Sequence, residues 1–97
     1  MEYTVRLHPT VQRQIAQWGL SDYLLVEVYL ALREVLAGNP LAELHRDPQG
    51  NGSLFVFDLV DPDNSRFRHL FQFRVFFEED EKQLLVVRGS YWRFRDE

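Results

Sequence analysis

Hydrophobic and polar positions alternate most clearly in the last third of the chain, from Phe67 to Phe94. In the first half of this stretch, one side of a period-two pattern carries polar and basic residues and the other carries apolar ones. The apolar side holds Phe67, Phe71, Phe73, Val75 and Phe77, with His69 among them, and the polar side holds Arg66, Arg68, Gln72 and Arg74. Such alternation predicts a strand with one buried face, here continued by a second strand after a turn at Glu78–Gln83. Three arginines on one open strand face predict a surface that receives anions.

Helical periodicity occupies the first half of the chain. Pro9 follows a short alternating strand at Tyr3–Leu7 and opens a helix that runs to about Trp18, where Gly19 ends it. Ser21 is a predicted N-cap for a second helix, which ends at Gly38-Asn39-Pro40. Because so few residues separate the first helix from the second, the two are predicted to pack as a helical hairpin.

The remaining segments predict the fold class. Leu41–Asp47 is ambiguous and reads as a short extra turn of helix, and Ser53–Val60 is apolar enough for a central strand. The predicted order is strand, helix, helix, strand, strand, strand. Residues 1–97 are therefore expected to form a single α+β domain, with an N-terminal strand, a helical hairpin and a three-stranded antiparallel meander, and with the helices on one face of the sheet.

Composition restricts the chemistry. The 97 residues carry a net charge of −4, but the charge is polarised: residues 1–65 hold four Arg against nine Asp or Glu, whereas residues 66–95 hold six Arg and one Lys against four acids. Arginine suits bidentate recognition of phosphate or carboxylate. There is no cysteine and the histidines are scattered, so neither a metal site nor a cofactor is expected. With no apolar leader and no membrane span, a cytoplasmic protein is expected.

The order of elements and three short motifs resemble the RelE/ParE superfamily of bacterial toxin–antitoxin toxins. The motifs are Gly38-Asn39-Pro40 after the second helix, Phe73-Arg74-Val75-Phe76-Phe77 in the third strand, and Val87-Arg88-Gly89-Ser90-Tyr91-Trp92-Arg93 in the fourth. The resemblance implies a cognate antitoxin as partner. It also implies one of two activities: ribosome-associated mRNA cleavage by a metal-independent endoribonuclease, or inhibition of DNA gyrase.

The same resemblance implies site residues. Arg74 matches the phosphate-stabilising arginine of the third strand, and Tyr91 and Arg93 occupy the region of late aromatic and basic groups, so these three are the expected catalytic residues. Arg68, Arg88 and Trp92 are the expected RNA- or anion-binding residues. The chain departs from the family's RNases because its second strand carries Phe55-Val56-Phe57-Asp58 where basic residues are usual.

Two questions stay open at the level of sequence. If Phe77 pairs with Leu84, the Arg74 face of the fourth strand carries Tyr91 and Arg93; a shift of one residue places Arg88 and Ser90 there instead. The function is also open between a toxin and a non-catalytic protein-interaction module of the same fold. For His69, a satisfied core histidine is the expected role.

Overall fold

The computed structural model describes residues 3–78 and 80–95, and all statements about the structure concern these residues. The strands are β1 (Thr4–Leu7), β2 (Leu44–Arg46), β3 (Ser53–Val60), β4 (Phe67–Glu78) and β5 (Gln83–Arg95). The helices are α1 (Pro9–Gln17), α2 (Asp22–Leu30), α3 (Leu36–Gly38) and α4 (Pro40–Glu43), with a π-helical turn at Ala31–Val35 joining α2 to α3. Glu79 lies outside the described residues, so the predicted turn at Glu78–Gln83 is described only in part.

One five-stranded sheet organises the domain, in the order β1-β5-β4-β3-β2. β1 runs parallel to β5, and every other pair is antiparallel. The predicted α+β class is confirmed, and so are the bounds of the strand Ser53–Val60. The strand count was wrong by one: the ambiguous segment Leu41–Asp47 begins with the expected helical turn, as part of α4, but its residues Leu44–Arg46 form β2 against Ser53–Phe55.

The helices begin where local chemistry favours them. His8 caps α1 by accepting a hydrogen bond from the Thr10 backbone N–H, with Pro9 in the first turn. Ser21 caps α2 through Leu24 N–H, as predicted. Gly19 ends the first helix with a φ of 65°, in the left-handed region that glycine enters without steric cost.

The core lies between the helices and one face of the sheet, which we call the covered face. Its fully buried side chains come from α1, α2 and the adjoining turns on one side and from β3, β4 and β5 on the other: Val11, Ile15, Val28, Leu32, Leu36, Phe55, Phe71, Phe73, Val75, Leu84 and Val86. The opposite face of the sheet, which we call the open face, has no described helix over it. The predicted placement of the phenylalanine side of β4 toward the helices is confirmed.

Candidate anion-binding face

The register of β4 and β5 decides which candidate side chains share a face. Phe77 pairs with Leu84, but the pairing shifts between Arg74 and Val75, so that Val75 pairs with Val86 and Arg74 with Arg88. Val87 is the extra residue of this β-bulge. Because a bulge inserts one residue into one strand, it moves every later side chain of that strand to the other face.

The bulge corrects the grouping predicted from sequence. Phe77 does pair with Leu84, yet Arg88 and Ser90 share the open face with Arg74, because the bulge lies between the two pairs. Tyr91 pairs with Phe71 and Arg93 with His69, on the covered side. Arg74, Tyr91 and Arg93 were expected to act together, and they do not share a face.

Four side chains from four strands form one row across the open face. His45 of β2 pairs with Leu54, Leu54 with Arg74, and Arg74 with Arg88. Directly opposed residues in an antiparallel sheet lie side by side, about 5 Å apart. Two arginines in adjacent positions repel each other unless an anion lies between or beside them. The row therefore places two guanidinium groups side by side in a protein whose net charge is negative, and the carboxylate of Asp47 offsets the charge of Arg74 alone.

Arg74 and Arg88, with three polar or aromatic neighbours, line a shallow cavity of about 220 Å³ that we call the arginine ledge. The neighbours are Gln72, Ser90 and Trp92. Trp92 is 49% exposed, so its indole is available for stacking. The ledge brings together Arg74 of the expected catalytic residues with Arg88 and Trp92 of the expected RNA- or anion-binding residues.

Arg74 is held in place from one side. Its Nη1 donates to Asp47 Oδ2 at 2.6 Å and to the Asn51 carbonyl oxygen, both in the loop between β2 and β3. Asp47 Oδ1 accepts from the Gln49 backbone N–H, and the bond from Arg74 is the main reason that the pKa of Asp47 lies below its ordinary 3.8. The Nε and Nη2 atoms of Arg74 make no hydrogen bond within the described chain, and neither does the guanidinium of Arg88. Both side chains keep donors for a ligand.

Arg68 lies one open-face row beyond Trp92 and pairs with Asp58 of β3, Nη1 to Oδ2, at 2.8 Å. This places it on the open face as predicted, with an acidic partner. Arg6 of β1, which sequence reasoning passed over, is also exposed on this face, because it pairs with Leu85 before the bulge.

Tyr91 and Arg93 belong to a second cluster at one end of the covered face. His69 is buried; its Nε2 lies 2.8 Å from Asp61 Oδ2 and its Nδ1 lies 2.5 Å from the Tyr91 hydroxyl. A carboxylate only accepts, so Nε2 donates to Asp61, and in a neutral ring Nδ1 accepts from Tyr91. Arg93 lies over the Phe67 ring at 4.1 Å. The expected role of His69 as a satisfied core histidine is confirmed.

Hydrogen bonding and burial shift the pKa values of two groups in this cluster. The hydrogen bond from His69, helped by the backbone N–H of Asp63, lowers the pKa of Asp61 from its ordinary 3.8. Burial raises the pKa of Tyr91 above 10.0. Tyr91 therefore keeps its proton at neutral pH. The cluster borders a cavity of about 310 Å³ near Trp18 and Leu24.

Other kinds of site find no support in the described part of the chain. No three or more His, Cys, Asp or Glu are grouped to hold a metal ion there. None of its helices is both long enough and apolar enough to cross a membrane.

Comparison with known proteins connects the geometry to a known fold. No protein-family model matches the chain, and no curated protein does. Among solved structures, a chain from the toxin–antitoxin complex RelBE2 of Mycobacterium tuberculosis aligns with a TM-score of 0.64 and 18% sequence identity, over 95% of this chain and 100% of that one. The fold is therefore RelE-like, and the resemblance read from the sequence is confirmed at the level of fold.

Proposed function

We propose that this chain is the toxin of a toxin–antitoxin pair and that its arginine ledge binds RNA phosphates. The observation that carries the proposal is the direct opposition of Arg74 and Arg88 on an open sheet face, where Nε and Nη2 of Arg74 and the guanidinium of Arg88 donate to no described residue. Charge-assisted bonds from arginine to phosphate are strong and directional. The RelE-like fold supports the toxin assignment, because the neighbour with this fold belongs to a toxin–antitoxin complex.

The ledge chemistry favours RNA over a protein target such as gyrase. A phosphodiester placed between Arg74 and Arg88 offsets their mutual repulsion, and Trp92 in the same cavity offers a ring on which an unpaired base stacks. If the phosphate is cleaved, the arginines stabilise the charge that develops on it. His45 is the imidazole in the same row, two strand spacings or roughly 10 Å from Arg74.

Growth after induced expression tests the proposal. We expect the wild-type chain to arrest bacterial growth and to truncate mRNA in a ribosome-containing translation extract. The double variant Arg74→Ala/Arg88→Ala removes the ledge charges, so growth and full-length mRNA should both return. The matched control Arg13→Ala/Arg33→Ala removes two exposed helix arginines and should still arrest growth.

Each other outcome counts against part of the proposal. Normal growth with abundant soluble wild-type chain would refute the toxin assignment. Arrest with intact mRNA and lost gyrase supercoiling would replace the RNA target with gyrase.

A second function, the non-catalytic interaction module, is favoured by one specific observation. Tyr91, the predicted catalytic tyrosine, lies on the covered face with its hydroxyl bonded to His69, away from the arginine ledge. A module of this kind would bind a protein partner without cleaving RNA. The translation extract separates the two functions, since the module leaves mRNA intact and cell growth unaffected.

A further inference from the structure

A pocket opens at the corner of the sheet where β4 extends beyond β3. The last residue pair between these strands is Ser53 with Val75, so Phe76 and Phe77 have no partner in β3. The space beside them has a volume of about 380 Å³, and we call it the corner pocket. Its lining comes from α4, β2, the loop between β2 and β3, the start of β3, and β4: Pro40, Leu41, Leu44, Arg46, Gly50, Gly52, Ser53, Phe76 and Phe77.

Glycine at position 52 shapes one wall of the corner pocket. Its φ of 75° lies in the left-handed region, and a Cβ there would lie 2.9 Å from the Val75 carbonyl oxygen and 3.2 Å from Phe76 Cε1. Because Gly52 has no side chain, the Phe76 ring lies against its backbone and forms that wall. Leu41 of α4 lines another side and is 74% exposed, so the pocket offers apolar surface that is largely uncovered.

One cation lies in these apolar surroundings. Arg46 is the only charged residue among the described ones that line the pocket, and it lies directly opposite Ser53 across β2 and β3. Directly opposed side chains lie about 5 Å apart, so the Ser53 hydroxyl lies beside the Arg46 guanidinium. Neither group makes a hydrogen bond or an ion pair within the described chain. Asp47, the next residue along the chain, is bonded to Arg74 instead.

We propose that the corner pocket binds a small organic acid in which a short chain joins an aromatic ring to a carboxylate. The Arg46 guanidinium and the Ser53 hydroxyl hold the carboxylate, and the ring packs between Leu41 and Phe76. One guanidinium matches the single charge of a carboxylate and donates to both of its oxygens. Aromatic rings in contact favour offset or edge-to-face packing, for which Phe76 supplies the partner ring.

The size and charge of the pocket favour a small molecule over RNA. Its volume of about 380 Å³ falls within the range of small-molecule sites, about 300–1,000 Å³. RNA affinity comes from several phosphate contacts, and this pocket holds one cation. The pocket is also separate from the arginine ledge, because Arg46 follows His45 on β2 and therefore lies on the covered side of the sheet. The assignment is thus independent of the proposed function and goes beyond it.

Amide NMR titrations with three small compounds test the pocket. The full chain receives phenylbutyrate, phenylbutyramide or acetate, in the absence of RNA. Phenylbutyrate should cause saturable shifts at Gly50, Gly52 and Phe76. Phenylbutyramide has the same shape without the charge and should bind about fivefold more weakly, because one exposed charge pair is lost. Acetate lacks the ring and should cause no saturable shift at these amides.

Variants locate the two ends of the ligand. Arg46→Gln should weaken phenylbutyrate binding about fivefold and leave phenylbutyramide binding unchanged, so that the acid and the amide bind equally. Leu41→Asn should weaken the binding of both compounds about threefold, because apolar contact is lost. Both residues are exposed, so the fold should stay intact. The matched controls Arg13→Gln and Val26→Asn change exposed helix residues outside the pocket and should alter neither affinity.

Other outcomes overturn the assignment. Shifts confined to Arg74 and Arg88 would mean that the acid binds the arginine ledge. Equal affinity of the wild type for acid and amide, or equal weakening by Arg46→Gln and Arg13→Gln, would mean that Arg46 does not hold the carboxylate. Because the titration needs neither RNA nor toxicity, a chain that arrests growth without binding phenylbutyrate would refute only the corner pocket, and a chain that binds it without arresting growth would refute only the toxin.

Discussion

The two faces of the sheet are built by the same strands but differ in chemistry: the covered face is apolar, and the open face carries polar and charged side chains. Phe73 and Arg74 are neighbours on β4, yet Phe73 is fully buried against the Trp18 and Phe57 rings whereas Arg74 reaches the open face. On β5, the neighbours Gly89 and Arg88 differ in the same way, because Gly89 is buried on the covered face and Arg88 is exposed on the open face. The covered face therefore holds most of the apolar burial that stabilises the domain, and the open face is free to carry charge. Substitutions at adjacent positions should separate stability from binding.

Removing a ring from the covered face should have the largest effect on stability. Phe73→Ala deletes a fully buried side chain, which costs about 3–5 kcal/mol when the cavity cannot collapse. The free energy of unfolding from urea titration measures it. A loss below about 1 kcal/mol would mean that the helices do not pack tightly on this face.

Adding a side chain at Gly89 should have the next largest effect on stability. A Cβ there would lie 2.9 Å from Phe73 Cε1 and 3.0 Å from Trp18 Cη2, so both rings must shift. Gly89→Val should destabilise by about 1–3 kcal/mol through overpacking. Ser90→Val, one position along on the open face, is the matched control, and its thermal midpoint should stay near that of the wild type. Equal losses would refute the observed register.

Lowering the pH should destabilise the domain by a smaller amount than these core substitutions, because it removes one carboxylate interaction on each side of the sheet. Asp47 and Asp61 have native pKa values lowered from 3.8, by Arg74 and His69 respectively, so the unfolded chain binds more protons as pH falls. Their contribution is complete above the unfolded pKa and is lost as pH drops through the native values. Thermal midpoints measured from pH 6 to pH 2 should fall, and less steeply in Asp61→Asn. An unchanged slope in that variant would contradict the His69–Asp61 bond.

Removing an arginine from the open face should hardly affect stability. Arg88 makes no ion pair within the described chain, so Arg88→Ala should change the free energy of unfolding by less than about 0.5 kcal/mol. The same substitution should weaken RNA binding. Denaturation beside a fluorescence binding titration checks both, and a large stability loss would indicate a structural role for Arg88.

Much of this arrangement was accessible from sequence, because it depends on local chemistry. The alternation in Phe67–Phe77 predicted the two faces of β4, and the Ser21 cap and the Gly38-Asn39-Pro40 stop bounded the helical segment made of α2, the π-helical turn and α3. The edge strand Leu44–Arg46 was missed because three residues are too few for a period-two signal.

The site was harder to predict than the fold, because its grouping depends on long-range geometry. Nothing in Val86-Val87-Arg88 marks a bulge, yet the extra residue Val87 moves Arg88 to the open face and Tyr91 to the covered face. Asp61, His69 and Tyr91 meet only after β3, β4 and β5 have paired. A histidine inside an otherwise apolar strand face was the one local signal for this cluster.

The central claim, that the open face binds RNA phosphate, is tested most directly by an NMR titration with a short single-stranded oligoribonucleotide at several salt concentrations. Saturable shifts should appear at Gln72, Arg74, Arg88, Ser90 and Trp92. In Arg74→Ala/Arg88→Ala, the negative slope of log affinity against log salt should become less steep by about 1.4, because two phosphate contacts are lost. Shifts confined to the covered face, or an unchanged slope in the double variant, would contradict the claim.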